Sequence, residues 1–482
     1  MPDNDLSSSA KFLFGLGNFG SSAAGALSAQ LQLYFTKYLG YPATAVANAR
    51  AFSTFIDAFA DPVMGYLSDS TTSRLGRRMP YILVGSFILA GAFLAMWFVP
   101  AGLPAWQFWT YLFAMQVLFT IGTSITGVPY FALIPEIAKE YSTRTALVAW
   151  MQALAQLGNI VGGGVRAYST WRGNELQGFR EFAVYISILD VVCYILLVLF
   201  VREPPIPERV LAQIRDKKLA GGSFFEQHVL GLFRSLSTAL ADRQFLILFA
   251  AIFISQAGIL AGLWMYTFLL DDWFGKTWDT PFALAYVPAL FRDAFFLWIF
   301  VAIGCGVLFL PFWNWLGKMV DKQKCLMAGI AGVGLTYGLS YFLFAPKSYP
   351  LLLLYCIITA FFYASVNIFP TSMIADIATH SALVHGEEND GMFYGAYSFL
   401  QKIYNTVSWM WTGFALEYIV GYQGGEGAVQ SAETLWRMRV LYAAPACLTA
   451  IFALLVLARY DLSRAKMEEV REELKQRRLS DS

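Results

Sequence analysis

The chain has 482 residues, 57% hydrophobic and only 14% charged, with a net charge of +1. Soluble domains run near a quarter charged, so the composition excludes a soluble enzyme, a disordered chain and a nucleic-acid binder, and predicts a chain lying mostly in lipid. A mean hydropathy of +0.53 agrees, and at ~20 apolar residues per span the length accommodates about twelve spans.

In chain order, the first ten residues, MPDNDLSSSA, lack the basic start of a signal peptide, and the apolar run behind them is long enough to stay as a first span. Twelve apolar segments follow one another over 11–39, 43–68, 79–99, 104–134, 143–167, 180–202, 243–270, 285–316, 324–344, 349–374, 390–420 and 434–459. Backbone groups in lipid must pair internally, and runs this long satisfy that as helices rather than barrel strands. The longest polar stretch, 203–242, divides the chain. The expected organisation is a six-helix bundle over 1–202, a cytoplasmic linker over 203–242, a second six-helix bundle over 243–459 and a solvated tail over 460–482.

Lys and Arg set the orientation. Arg74, Arg77, Arg78, Lys139, Arg144, Arg209, Arg215, Lys217, Lys218, Lys318, Lys322 and the tail from Arg459 all fall on one side, which is therefore cytoplasmic along with both termini. Five cysteines without a CxxC read as small core residues, and three scattered histidines do not make a metal site. Walker, GxSxG and HExxH patterns are absent, so no enzyme activity and no cofactor is expected.

The halves echo each other. After the second segment stands Gly65 to Asp69, then Gly76-Arg77-Arg78; after the eighth stands Trp315, Gly317-Lys318, then Asp321-Lys322. Each places an Asp at a helix end beside a basic loop. Asp69 with Arg74, Arg77 and Arg78, and Lys318 with Asp321, are expected to form cytoplasmic latches that break and re-form. Parallel halves mark the major facilitator architecture, an all-α membrane fold whose site lies between the halves near the bilayer midplane.

The most informative stretch is Asp57-Ala-Phe-Ala-Asp61-Pro62. Four residues apart, the two aspartates share one helix face. Each costs about 2.5–3.5 kcal/mol near a helix centre, so a cation, a proton or a basic partner must compensate them. Pro62 lacks an N–H, which frees the Ala58 carbonyl as a further oxygen ligand suited to Na+.

The run DAFADPVMGYLSDSTTSRLGRRMPYILVG resembles the second-helix signature of the glycoside–pentoside–hexuronide:cation symporters, typified by melibiose permease. Further matches are Pro129-Tyr130 through Pro135-Glu136, Tyr141 to Thr145, and Gly391 to Lys402. The resemblance implies cation-coupled solute import by alternating access. It places the ion on Asp57 and Asp61, helped by the hydroxyl of Ser124, and gives the eleventh helix a functional lysine, Lys402. The chain also departs from the pattern. An asparagine ligand is Ala60 here, which opens the way to H+ in place of Na+. The sugar-binding carboxylates fall on Ser22 and Gly127, an arginine on Gln152, and a tryptophan on Phe131, so galactoside specificity is not inherited.

Polar residues inside apolar helices mark the expected replacement. Asn18 and Ser22 share a face of the first helix, Gln152, Gln156 and Asn159 a face of the fifth, and Tyr394, Ser398 and Lys402 a face of the eleventh. Asp190, deep in the sixth segment, has no assignable partner. The sequence thus predicts a monomeric inner-membrane symporter, coupled to Na+ or H+, for a sugar, glycoside or uronate. The alternative solute is a lysolipid or another amphipathic organic anion, which suits a retained Lys402 beside lost carboxylates.

Overall fold

Helices close their own backbone hydrogen bonds, and these apolar runs use them throughout. The computed structural model describes residues 7–71, 73, 75–100, 102–138, 140–201, 203–204, 230–385, 390–425 and 427–480, and every regular element among them is helical.

Helix α1 (Ser8–Ser28) starts behind Ser7, whose hydroxyl accepts the Ala10 N–H, and leads into a π-helical turn, Tyr34–Tyr38. Then come α2 (Ala43–Asp69), continuous through Pro62, α3 (Met79–Trp97), α4 (Ala105–Ala132) and α5 (Tyr141–Gly163), which a short helix, Val165–Arg172, extends. Helix α6 (Glu175–Phe200) is capped by Asn174, which accepts the Gln177 N–H. After a short helix, Leu230–Ala241, come α7 (Arg243–Leu263), capped by Asp242, and α8 (Ala294–Met319). Next are α9 (Lys322–Leu343), α10 (Tyr349–His385), α11 (Asp390–Phe414) and α12 (Ala432–Leu457), and the tail forms α13 (Arg464–Ser480).

Among the described residues, eight helices are long and apolar enough to cross a membrane, and they include α3, α4, α6, α7, α8, α9, α10 and α12. The other four long helices are α1, α2, α5 and α11. Apart from Ser124 and the loop residues, every candidate residue sits on these four.

The chain divides into two compact units. The first holds Met1–Val229, Asp279–Phe296 and Gln423–Ala428, and the second Leu230–Trp278, Leu297–Tyr422 and Val429–Ser482. Much of the expected linker, 205–229, lies outside the described residues. Within the first unit, α1 packs on α5 and α6. Gly158 and Gly162 let α5 approach so closely that an added Cβ would collide with the carbonyl oxygens of Phe19 and Ala23. Tyr34, Trp97, Phe108 and Phe179 fill the space around the π-helical turn. The segment before α8 belongs to the same unit, where buried Arg166 lies 3.9 Å from Asp293 and over the Phe295 ring. The second unit is cemented by buried tyrosines, with the Tyr355 and Tyr442 hydroxyls 2.6 Å apart.

The α1–α5 seam generates a prediction. Gly158→Ala should lower the stability of the purified protein by about 2 kcal/mol, because backbone rather than a flexible side chain blocks the new methyl. Gly25→Ala, facing open space, should cost nothing and add up to ~1 kcal/mol through helix propensity. Thermal unfolding in detergent checks both.

Candidate functional site

Helix α4 carries Gly122 and Thr126 on the face that meets α3 at Leu89 and Gly85. Ser124 lies midway between them, roughly 200° around the helix at 3.6 residues per turn, and so faces α2. Its hydroxyl, in a residue only 2% exposed, lies 3.0 Å from Asp57 Oδ1 and 2.8 Å from Asp61 Oδ1. Both aspartates are half-buried. The structure thus brings together the three residues that the resemblance singled out. A serine hydroxyl has one hydrogen and can donate to one carboxylate at a time. The other contact is then oxygen against oxygen, a geometry that a cation or a proton relieves. The two carboxylates are within about 6 Å of each other through this bridge. At about 5 Å and an effective dielectric of about 20, their repulsion is on the order of 3 kcal/mol.

The polar faces behave differently. Asn18 donates to the Met151 carbonyl at 3.2 Å, tying α1 to α5, and Ser22 packs beside Gly158. Asn159 lies 3.4 Å from Gln156 on its own helix, while Gln152 is exposed. Asn18 and Ser22 are therefore part of a helix seam, and Gln152 is the open member of the set. In the second unit Tyr394 donates to the Thr371 carbonyl at 3.0 Å, Ser398 is exposed and Lys402 is half-buried on α11.

The basic loops give one enlargement and one correction. Asp69, 59% exposed, accepts from Arg78 at 3.0 Å, and Arg77 stands 4.0 Å away. Arg74 lies outside the described residues. The main acceptor is Glu136, just past α4, which pairs with both Arg77 and Arg78. Glu203 accepts the N–H groups of Arg78 and Met79 at 2.9 and 3.3 Å, capping α3. Gly76, at φ +105°, lets that carboxylate in, since a Cβ there would collide with it.

The expected Lys318–Asp321 latch is corrected. Asp321 precedes the first turn of α9, so its carboxylate turns to Lys324 at 3.0 Å and to the Arg464 N–H at 3.1 Å. The Lys324 ammonium and that N–H hold its carboxyl below the usual carboxylate range. Lys318 contributes its backbone carbonyl, which accepts from the Arg464 guanidinium at 2.6 Å. The ion pair that spans this end of the second unit is Lys322 with Asp376 on α10, at 2.5 Å.

Sequence reading gives Glu136 and Lys322 a place in a motif and a basic loop but no ion-pair role, and it leaves Glu203 and Asp376 without one. The repeat contained the signal. Arg77 and Glu136 are 59 residues apart, Lys322 and Asp376 54, so each half joins the start of its third helix to the end of its fourth.

Long apolar helices arranged in two helical units are the fold of a multi-pass integral membrane transporter of the major facilitator class. Within that class, the chain belongs to the MFS/sugar transport protein family, whose model matches residues 13–464. It is similar to an uncharacterized symporter of Synechocystis sp., 23% identical over 97% of this chain and 96% of that protein. It is also similar to the sodium-dependent lysophosphatidylcholine symporter 1-B of Danio rerio, 24% identical over 88% of this chain and 80% of that protein. A crystal structure of the nucleoside transporter NupG shares the fold, with a TM-score of 0.63 at 14% identity, covering 93% of this chain and 99% of that one.

Burial predicts which acid matters more in the basic loop. Arg77 and Arg78 side chains are 11% and 8% exposed, so removing the charge of their shared acceptor takes an ionised partner from two poorly exposed guanidinium groups. Glu136→Gln should cost about 2 kcal/mol, as for hydrogen bonds to charged groups, whereas Asp69→Asn should cost under ~1 kcal/mol, as for an exposed pair. Denaturation of the two purified variants under identical conditions compares them.

Proposed function

We propose that this chain couples the flow of Na+ or H+ to solute transport by alternating access, with Asp57, Asp61 and Ser124 holding the ion. The single observation that carries this reading is the one Ser124 hydroxyl set between two carboxylates on the same helix face. The empty pair repels itself. An ion neutralises it, lets α2 settle against α4, and so favours the conformation that takes up solute. By linkage, solute then raises ion affinity by the same factor. Pro62 frees the Ala58 carbonyl as a further oxygen ligand. Ala60 supplies no side-chain oxygen, which favours tolerance of H+ in place of Na+.

For the solute, the family description supports a sugar, glycoside or uronate. A second reading, a lysolipid or another amphipathic anion, is supported by the name of the Danio rerio relative and by the ammonium of Lys402. In either reading the solute-facing candidates of the first unit are Gln152, with Asn18, Ser22, Gln156 and Asn159 on the neighbouring faces, and those of the second unit are Lys402, Tyr394 and Ser398 on α11. The basic-residue bias supports a cytoplasmic position for both termini and for 203–242, in a protein that we read as a monomer of the inner membrane.

In proteoliposomes, Asp57→Asn and Asp61→Asn should each abolish uptake against a gradient while leaving a folded, inserted protein. Ser124→Ala should weaken ion binding about tenfold, the worth of one hydrogen bond to a charged group. Concentrative uptake persisting in both aspartate variants would refute the ion assignment. A screen of sugars, uronates and lysophospholipids for thermal stabilisation, with and without Na+, separates the two solute readings. Loss of lysophospholipid stabilisation in Lys402→Ala alone would favour the second.

A further inference from the structure

Asp190 lies halfway along α6 and is 0% exposed. Neither of its carboxyl oxygens has a hydrogen-bond partner, and the Ser187 hydroxyl one turn earlier on the same face has none either. The carboxyl lies against α1 at Gly20, where a Cβ would come within 2.7 Å of both Asp190 Cα and Asp190 Oδ1. An alanine there would therefore collide with the acid. The glycine lets the two backbones close over it, sealing it from water.

Among the described residues, no hydrogen bond or ion pair reaches the Asp190 carboxyl. The sole charge on α1 is Lys11, nine residues before Gly20 and near the far end of the helix. Helix α3, which also packs on α6, carries none between Met79 and Trp97. In the short helix after α5, Arg166 is engaged with Asp293 and Arg172 with Glu181. In the π-helical turn beside the start of α6, Lys37 stands 17 residues beyond Gly20 in the chain, and the Arg180 guanidinium donates to the Tyr34 hydroxyl. On α6 itself Glu175, Arg180 and Glu181 lie in the first two turns, and the adjacent Cys193 and Tyr194 are neutral groups. An ionised carboxylate in such a place would lack both solvent and counter-ion, at far greater cost than a neutral acid with unmet hydrogen bonds.

We propose that Asp190 is a proton-binding site separate from the Asp57/Asp61 pair. It carries a proton while α1 is packed on α6 at Gly20, and it releases that proton to water when the seam opens. The ligand is H+ itself, and no other co-reactant is needed. The site makes the α1–α6 seam pH-sensitive whichever ion the α2 pair takes and whichever solute is moved. Raising pH favours the ionised form, which the packed seam excludes, so stability is lost as pH rises and regained as it falls.

The test uses the full chain in nanodiscs. Infrared spectra across a pH titration should show a protonated-carboxyl C=O band that persists in the Asp57→Asn/Asp61→Asn double variant and vanishes in Asp190→Asn and Asp190→Leu. Leucine has the branched shape of aspartate with methyls for oxygens, so Asp190→Leu should fold at least as stably as the natural chain. Between about pH 5 and about pH 9 the natural chain should lose roughly 5 °C of unfolding midpoint that Asp190→Leu keeps. The proposal is overturned if the double variant shows no such band, or if Asp190→Leu keeps the natural pH dependence. It is also overturned if Asp190→Leu is destabilised at every pH, which would mean the carboxyl has a charged partner. Should neither Asp190 variant fold, presence or absence of the titrating band in the double variant decides. Because that variant lacks the α2 pair, failure here leaves the ion assignment untouched.

Discussion

Two carboxylates on one face of α2 share one hydroxyl of α4, and much else follows from that constraint. Asp57 and Asp61 sit one turn apart on the same helix, in an environment where each carboxylate is expensive. Ser124 offers a single hydrogen to both. To hold that hydroxyl in place, α4 presses Gly122 and Thr126 into α3, and Gly85 of α3 leaves the room. The packing of three helices is thus committed to the position of one oxygen atom.

The same economy governs the ends of the helices. With so few charges in the chain, those present are concentrated where helix pairs meet at the loops. In each unit a basic residue at the start of the third helix reaches an acid at the end of the fourth, Arg78 to Glu136 and Lys322 to Asp376. These contacts cross helices that are far apart in sequence, so any movement of one helix relative to the other must break or re-form them. The exposed Asp69 and the half-buried Asp321 lie at the edges of these networks. Asp321 also anchors the tail helix α13 through Arg464.

Helix–helix approach in lipid depends on small residues, since apolar side chains gain nothing by leaving one apolar medium for another. Gly158 and Gly162 bring α5 onto α1, and Gly20 brings α1 onto α6. These close approaches turn polar side chains inward. Asn18 is consumed in the α1–α5 seam, and Asp190 is sealed in the α1–α6 seam. The polarity of α1 therefore belongs in part to its packing. Gln152, on the open side of α5, remains available.

Much was legible in the sequence because lipid allows few solutions. Apolar run lengths fix the helices, the Asp57–Asp61 spacing fixes a shared face, and the loop charges mark the helix ends. Segment bounds read from hydropathy match some helices closely, as in 43–68 against Ala43–Asp69, and miss the polar end of others, as in 349–374 against Tyr349–His385. Sequence spacing speaks only of one helix at a time, however. Whether an amide such as Asn18 faces a cavity or a neighbouring carbonyl depends on which helix lies beside it. Whether Asp321 meets Lys318 or Lys324 depends on where α9 begins its first turn. Glu136 and Asp376 take their roles from partners more than fifty residues away. Those choices are made by three-dimensional neighbours, because hydrogen bonds and ion pairs act over a few ångströms and periodicity carries no information about what lies across the gap.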